Sequence, residues 1–84
     1  MPSQPHSKIF GKASKLAHAH PIVREMTQRR VEMSLSQDVL AGQAGISTQT
    51  LMLWERGRAQ PGLFLLSTAI EALGGKLKVD WNPT

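Results

Sequence analysis

Residues 35–57, LSQDVLAGQAGISTQTLMLWERG, hold two short helical patterns joined at Ala44-Gly45-Ile46. Ser36 stands where its side-chain oxygen can accept from the free amide two or three residues on, and Asp38 suits the positive end of the helix dipole. A helix is therefore predicted to start at Ser36. Leu40, Ala41 and Ala44 recur at the three-and-four spacing of a buried stripe, and Gly45 can take the left-handed conformation that ends a helix without steric cost. Ile46 is an apolar plug inside the turn, and Ser47 is a second N-cap that opens a second helix. In that helix Leu51 and Trp54 lie three apart and face inward together. Thr48, Gln49, Thr50, Met52 and Leu53 line the other faces until Gly57 ends the run.

Working outward, a preceding helix is predicted from Pro21 to Met33. Ile22, Met26, Arg30 and Met33 follow the helical period, and Val23, Val31 and Leu35 extend the apolar face. Arg24, Gln28 and Arg29 occupy the exposed side. His20 is placed to precede a helix whose first position is Pro21, which needs no amide there. After Gly57, Arg58-Ala59-Gln60-Pro61-Gly62 is turn chemistry, and Leu63 to Leu73 is a further helix with Leu63, Leu66, Ile70 and Leu73 on one face. Phe64 and Leu65 add apolar surface that is costly to solubility unless a partner covers it. Gly74-Gly75 ends this helix, and Lys76 to Trp81 alternates polar and apolar residues with period two. That alternation predicts a strand presenting Leu77, Val79 and Trp81 on one face. A lone strand must pair, and the chain offers no second strand, so the partner is expected to be a second copy.

The division that results is a flexible basic arm over 1–20, a helical domain over 21–75, and a terminal strand over 76–84 that serves as a dimerisation element. In the arm, Lys8, Lys12 and Lys15 suit either phosphate tracking or simple solvation, while Ile9, Phe10 and Leu16 are candidates for docking. His18 and His20 flank Ala19 without carboxylate or thiolate companions, which is too little for a metal site.

The quoted stretch resembles the Cro/C1-type (Xre-type) helix-turn-helix proteins of phage repressors and bacterial regulators. The likeness rests on Leu35-Ser36-Gln37, on Leu40-Ala41 followed by Ala44-Gly45-Ile46-Ser47, on Trp54-Glu55-Arg56-Gly57, and on the Pro61 to Leu73 segment; it covers about residues 22 to 74. It implies a mainly α fold, a compact lambda-repressor-like bundle of four or five helices, to which the chain adds its short C-terminal β-strand. It also implies that the positions of Gln37, Ser47, Thr48, Gln49 and Leu53 face DNA. The first helix would lie across the DNA backbone near its end, with Arg29 and Arg30 near phosphate. A similar terminal strand builds the dimer in some Xre-type antitoxins.

With the second helix as the recognition helix, the chemistry can be assigned residue by residue. Gln49 can make paired hydrogen bonds to adenine, Thr48 and Thr50 can bond a base edge or phosphate, and Gln37 can brace the backbone. Arg56 and Arg58 flank Gly57 where a loop would meet phosphate. Leu53 departs from the family pattern, which often has Asn, Gln, Lys or Arg there, and Met52 beside it is apolar too. Trp54 is assigned to the core and Glu55 to a helix or loop bond near Arg58.

Composition is compatible with this reading. Ten Lys plus Arg against six Asp plus Glu give a formal charge of +4 on 84 residues, which suits a polyanionic partner. There is no Cys, hence no disulfide framework or thiolate metal site. No apolar run approaches the roughly 20 residues of a membrane span, and Ile9-Phe10 is too short for a secretory signal. The chain reads as cytoplasmic, with no cofactor. No nucleophile, base and orienting group form a recognisable arrangement, so no enzyme is indicated. The leading reading is a sequence-specific, dimeric transcriptional repressor, phage-repressor-like or antitoxin-like, bound to a palindromic site in double-stranded DNA. The alternative is an interaction module of the same fold that binds a toxin or another regulator through Met52, Leu53 and an apolar helix face.

Overall fold

The computed structural model describes residues 18–82, so the expectations for residues 1–17 and 83–84 lie outside it. Among the described residues four helices follow one another: α1 (Pro21–Glu32), α2 (Gln37–Ala44), α3 (Thr48–Glu55) and α4 (Leu63–Ala72). α2 packs against both α3 and α4, and α1 packs against α3. Among the described residues there is no strand, and no helix is long and apolar enough to cross a membrane.

Local chemistry accounts for the helix starts. His20 Nδ1 accepts from the Ile22 amide at 3.1 Å, and Pro21 occupies the first helical position, where a missing N–H costs nothing. The helix stops because Ser34 turns left-handed (φ 58°), while Met33 and Leu35 donate back to the Arg29 and Arg30 carbonyls. Glu32, not Met33, is thus the last helical residue. Met33 and Val31 are exposed, contrary to the predicted apolar face, since the helix ends there with no further turn to bury them.

The core lies where the four helices meet. Val23 from α1, Leu40 from α2 and Leu51 from α3 are fully buried, with Met26, Ala41, Ala44, Trp54, Leu66, Ala69 and Leu73 around them. Burying a leucine this completely stabilises by about 1.5–3 kcal/mol. Ala19 is also buried in this cluster, so the last residues assigned to the arm join the folded body.

On α4 the inward row is Leu66, Ala69 and Leu73, with Ile70 partly buried. Leu63, expected in that row, is 73% exposed. Helical side chains lean toward the N-terminus, and the first residue of a helix has no earlier turn to lean on. Phe64 is exposed, whereas Leu65 packs partly against the core. Residues 76–82 carry no regular secondary structure, in place of the predicted strand. The described residues supply no neighbour for a ladder, and a strand is defined by its pairing. Leu77 returns to the core beside a groove of about 480 Å³ lined by Ile22, Met26, Ile70 and Leu73, while Val79 and Trp81 stand in solvent.

Candidate nucleic-acid interface

The α2–turn–α3 unit is built by three local devices. Ser36 Oγ accepts from the Val39 amide at 3.1 Å and starts α2. Gly45 ends it in the left-handed region (φ 75°), and the Ile46 amide returns to the Ala41 carbonyl at 3.0 Å. Ser47 Oγ then accepts from the Thr50 amide at 3.0 Å and starts α3. Ile46 sits half-buried against the core, which fixes how the two helices cross.

The hydroxyls on the leading turn of α3 are already engaged. Ser47 and Thr50 share a hydrogen bond of 2.9 Å, which places both in the cap. Thr48 Oγ1 donates to Asp38 Oδ1 and ties the first turn of α3 to the first turn of α2. Gln49 is exposed and its amide has no partner among the described residues. Arg56 and Arg58 are also exposed; the Arg58 amide donates to the Leu53 carbonyl at 2.9 Å, which holds the loop after α3. Met52 and Leu53 are half-buried.

Behind this face lies a polar network that joins three helices. Glu55 is buried on α3, and Arg30 on α1 grips it bidentately, Nε to Oε2 at 2.9 Å and Nη2 to Oε1 at 3.0 Å. Arg30 Nη1 also donates to the Leu35 carbonyl at 2.7 Å, and Gln37 Nε2 donates to Glu55 Oε1 at 2.8 Å. Three sequence assignments change as a result. Glu55 bonds Arg30 and Gln37, not the region of Arg58. Arg30 is committed to the interior and is not a free phosphate contact, whereas Arg29 stays exposed, with its Nε 3.4 Å from the Leu73 carbonyl. Gln37 keeps one amide hydrogen for another partner, the other being held by Glu55. The trace of this network in the sequence was Arg30 itself, a cation on the inward period of α1, where a charge requires a buried partner.

The expected interface residues of the C-terminal half differ in exposure. Phe64, Val79 and Trp81 are exposed, while Leu65 and Leu77 are partly committed to the core. His20 is used as a cap, and among the described residues no cluster of three or more His, Cys, Asp or Glu is placed to hold a metal.

A family model described as helix-turn-helix matches residues 26–79, a span that contains the whole α2–turn–α3 unit. The chain belongs to this helix-turn-helix family, of the Cro/C1 type. A protein described as an uncharacterised HTH-type transcriptional regulator, from Methanothermobacter thermautotrophicus, is 38% identical over 47 residues, 56% of this chain and 68% of the relative. No solved structure matches the chain. Family membership explains why the turn, the caps and the WERG segment occur together; the open Gln49 is a feature of this chain's own surface.

Proposed function

We propose that this helix-turn-helix protein is a sequence-specific DNA-binding transcriptional regulator that acts in the cytoplasm as a dimeric repressor. The observation that carries the reading is Gln49, exposed on the second helix of the unit with donor and acceptor both open, the pair that adenine presents in the major groove. Thr48 and Thr50 flank it, Leu53 offers an apolar contact to a thymine methyl, and Ser47 sets the helix start. Gln37, Arg56 and Arg58 would meet the phosphate backbone on either side. The relative's description as a transcriptional regulator supports the same reading.

Residues 21–75 form the DNA-binding body in this proposal, and residues 76–84 form a strand once a second copy supplies its pair. Phe64, Leu65, Leu77, Val79 and Trp81 would cover one another across the twofold axis. The experiment is selection of DNA from a random library, followed by binding measured against salt. Gln49→Ala should cost about 1–3 kcal/mol on the selected site and relax one base pair, with little effect on random DNA. Neutralising Arg58 should weaken all sequences alike and flatten the salt slope by roughly one unit. Equal loss on selected and random DNA for Gln49→Ala would remove Gln49 as a reader.

A further inference from the structure

We propose that the side chains of Thr48 and Asp38 form an acceptor-only reader at the start of α3, selecting an amine-bearing base, adenine or cytosine, on the strand it faces. The proposal rests on the DNA-binding reading above and concerns the polarity of one contact within it.

A threonine hydroxyl has one hydrogen to donate and two acceptor sites, whereas a carboxylate only accepts. In the bond from Thr48 Oγ1 to Asp38 Oδ1 the direction is therefore fixed, and the hydroxyl hydrogen is committed to Asp38. What the pair turns outward is the remaining acceptor capacity of Thr48 and the second oxygen of Asp38, which has no partner among the described residues. Asp38 is exposed and Thr48 half-exposed, so both are open to an approaching groove.

In the major groove guanine offers N7 and O6 and thymine offers O4, all acceptors, while adenine N6 and cytosine N4 carry donating amines. Phosphate offers only acceptors and negative charge. The Thr48–Asp38 side chains thus have no hydrogen to donate to guanine, thymine or the backbone, and accept from adenine or cytosine. Rotating the hydroxyl to donate outward would leave the Asp38 carboxylate without its partner beside a polyanion. Among the described residues neither neighbouring hydroxyl bonds Asp38; Ser47 donates to Thr50 Oγ1 instead.

The test uses the full chain and the enriched half-site from library selection, with each position replaced by all four bases. Wild type should show one position, distinct from that of Gln49, where adenine or cytosine is preferred by about tenfold. Thr48→Val should weaken that preference and no other, the outward oxygen of Asp38 remaining. Asp38→Ala should extend it to thymine or guanine, since the freed hydroxyl can then donate, and should raise affinity for random DNA. A responsive position that prefers guanine or thymine, the lack of any position responding to Thr48→Val, or a uniform loss with Asp38→Ala would overturn the proposal while Gln49-dependent selectivity leaves the DNA-binding reading intact. Failure to enrich any sequence would sink both.

Discussion

Gly57 is packed against the backbone of His18: a Cβ on this glycine would stand 2.5 Å from the His18 carbonyl carbon and 2.7 Å from its oxygen. The glycine also sits at φ +74°, so it ends α3 and at once makes room for the chain entering α1. Gly45 has nearly the same φ, +75°, with nothing near its missing Cβ. The two glycines therefore separate conformation from space. Gly45→Ala should cost roughly 1–2 kcal/mol for the left-handed backbone alone. Gly57→Ala should cost that plus a further 1–3 kcal/mol, roughly, for overpacking. Urea denaturation of both variants checks this, and equal midpoints would mean that the His18 segment moves aside freely.

The Arg30–Glu55 pair predicts a strong coupling. Its side chains are 12% and 7% exposed, so solvent screens neither well. Arg30→Met strands the Glu55 carboxylate with Gln37 as its remaining donor, and should destabilise by about 3 kcal/mol. The double variant Arg30→Met, Glu55→Leu removes both charges and should cost less than Arg30→Met alone. A double-mutant cycle from denaturation gives the coupling, and simple additivity would reduce the pair to a surface contact.

The parts of this fold that were legible in the sequence are those whose causes act within a few residues. Ser36, Gly45 and Ser47 each bond or bend the backbone next to themselves, so their identity alone marks the helix ends. Glu55 was misassigned because its partners lie 25 and 18 residues away, on helices whose crossing no local pattern records. The place of Thr48 in the first turn of α3 was legible, but the direction of its hydroxyl was not, since Asp38 reaches it only through the turn. The 76–81 alternation did not give the predicted face: Leu77 packs on the core while Val79 and Trp81 stand in solvent, because a strand needs a neighbour and the described residues supply none. Leu63 matched the period of its helix but sits at its first position, where period does not guarantee burial.

Thr27 gives a prediction of opposite sign. It is 4% exposed on α1, and its hydroxyl has no hydrogen-bond partner among the described residues. A buried hydroxyl left unpaired costs about 1–3 kcal/mol. Thr27→Val keeps the branched shape and removes the polar atom, so it should stabilise by about 1 kcal/mol and raise the melting temperature by roughly 4–8 °C. A lowered melting temperature would reveal a partner for this hydroxyl in solution.

Val79 and Trp81 are 69% and 83% exposed, an expensive arrangement for a small domain unless a second copy covers them. If two 76–82 segments pair antiparallel across a twofold axis, each supplies the ladder partner the other lacks, and the same axis can set two α3 helices about 34 Å apart, one turn of DNA. Dimerisation and operator symmetry are then a single claim. Truncating the segment would also remove Leu77, which packs on the core, so the cleaner variant is Val79→Ser with Trp81→Ser. These side chains touch little in the single chain, and helical content should be unchanged. Sedimentation should show a dimer for wild type and a monomer for the double variant. Binding to a palindromic site should fall steeply in the variant, because its half-sites are no longer held by one body. If both proteins sediment alike, the segment is not the interface.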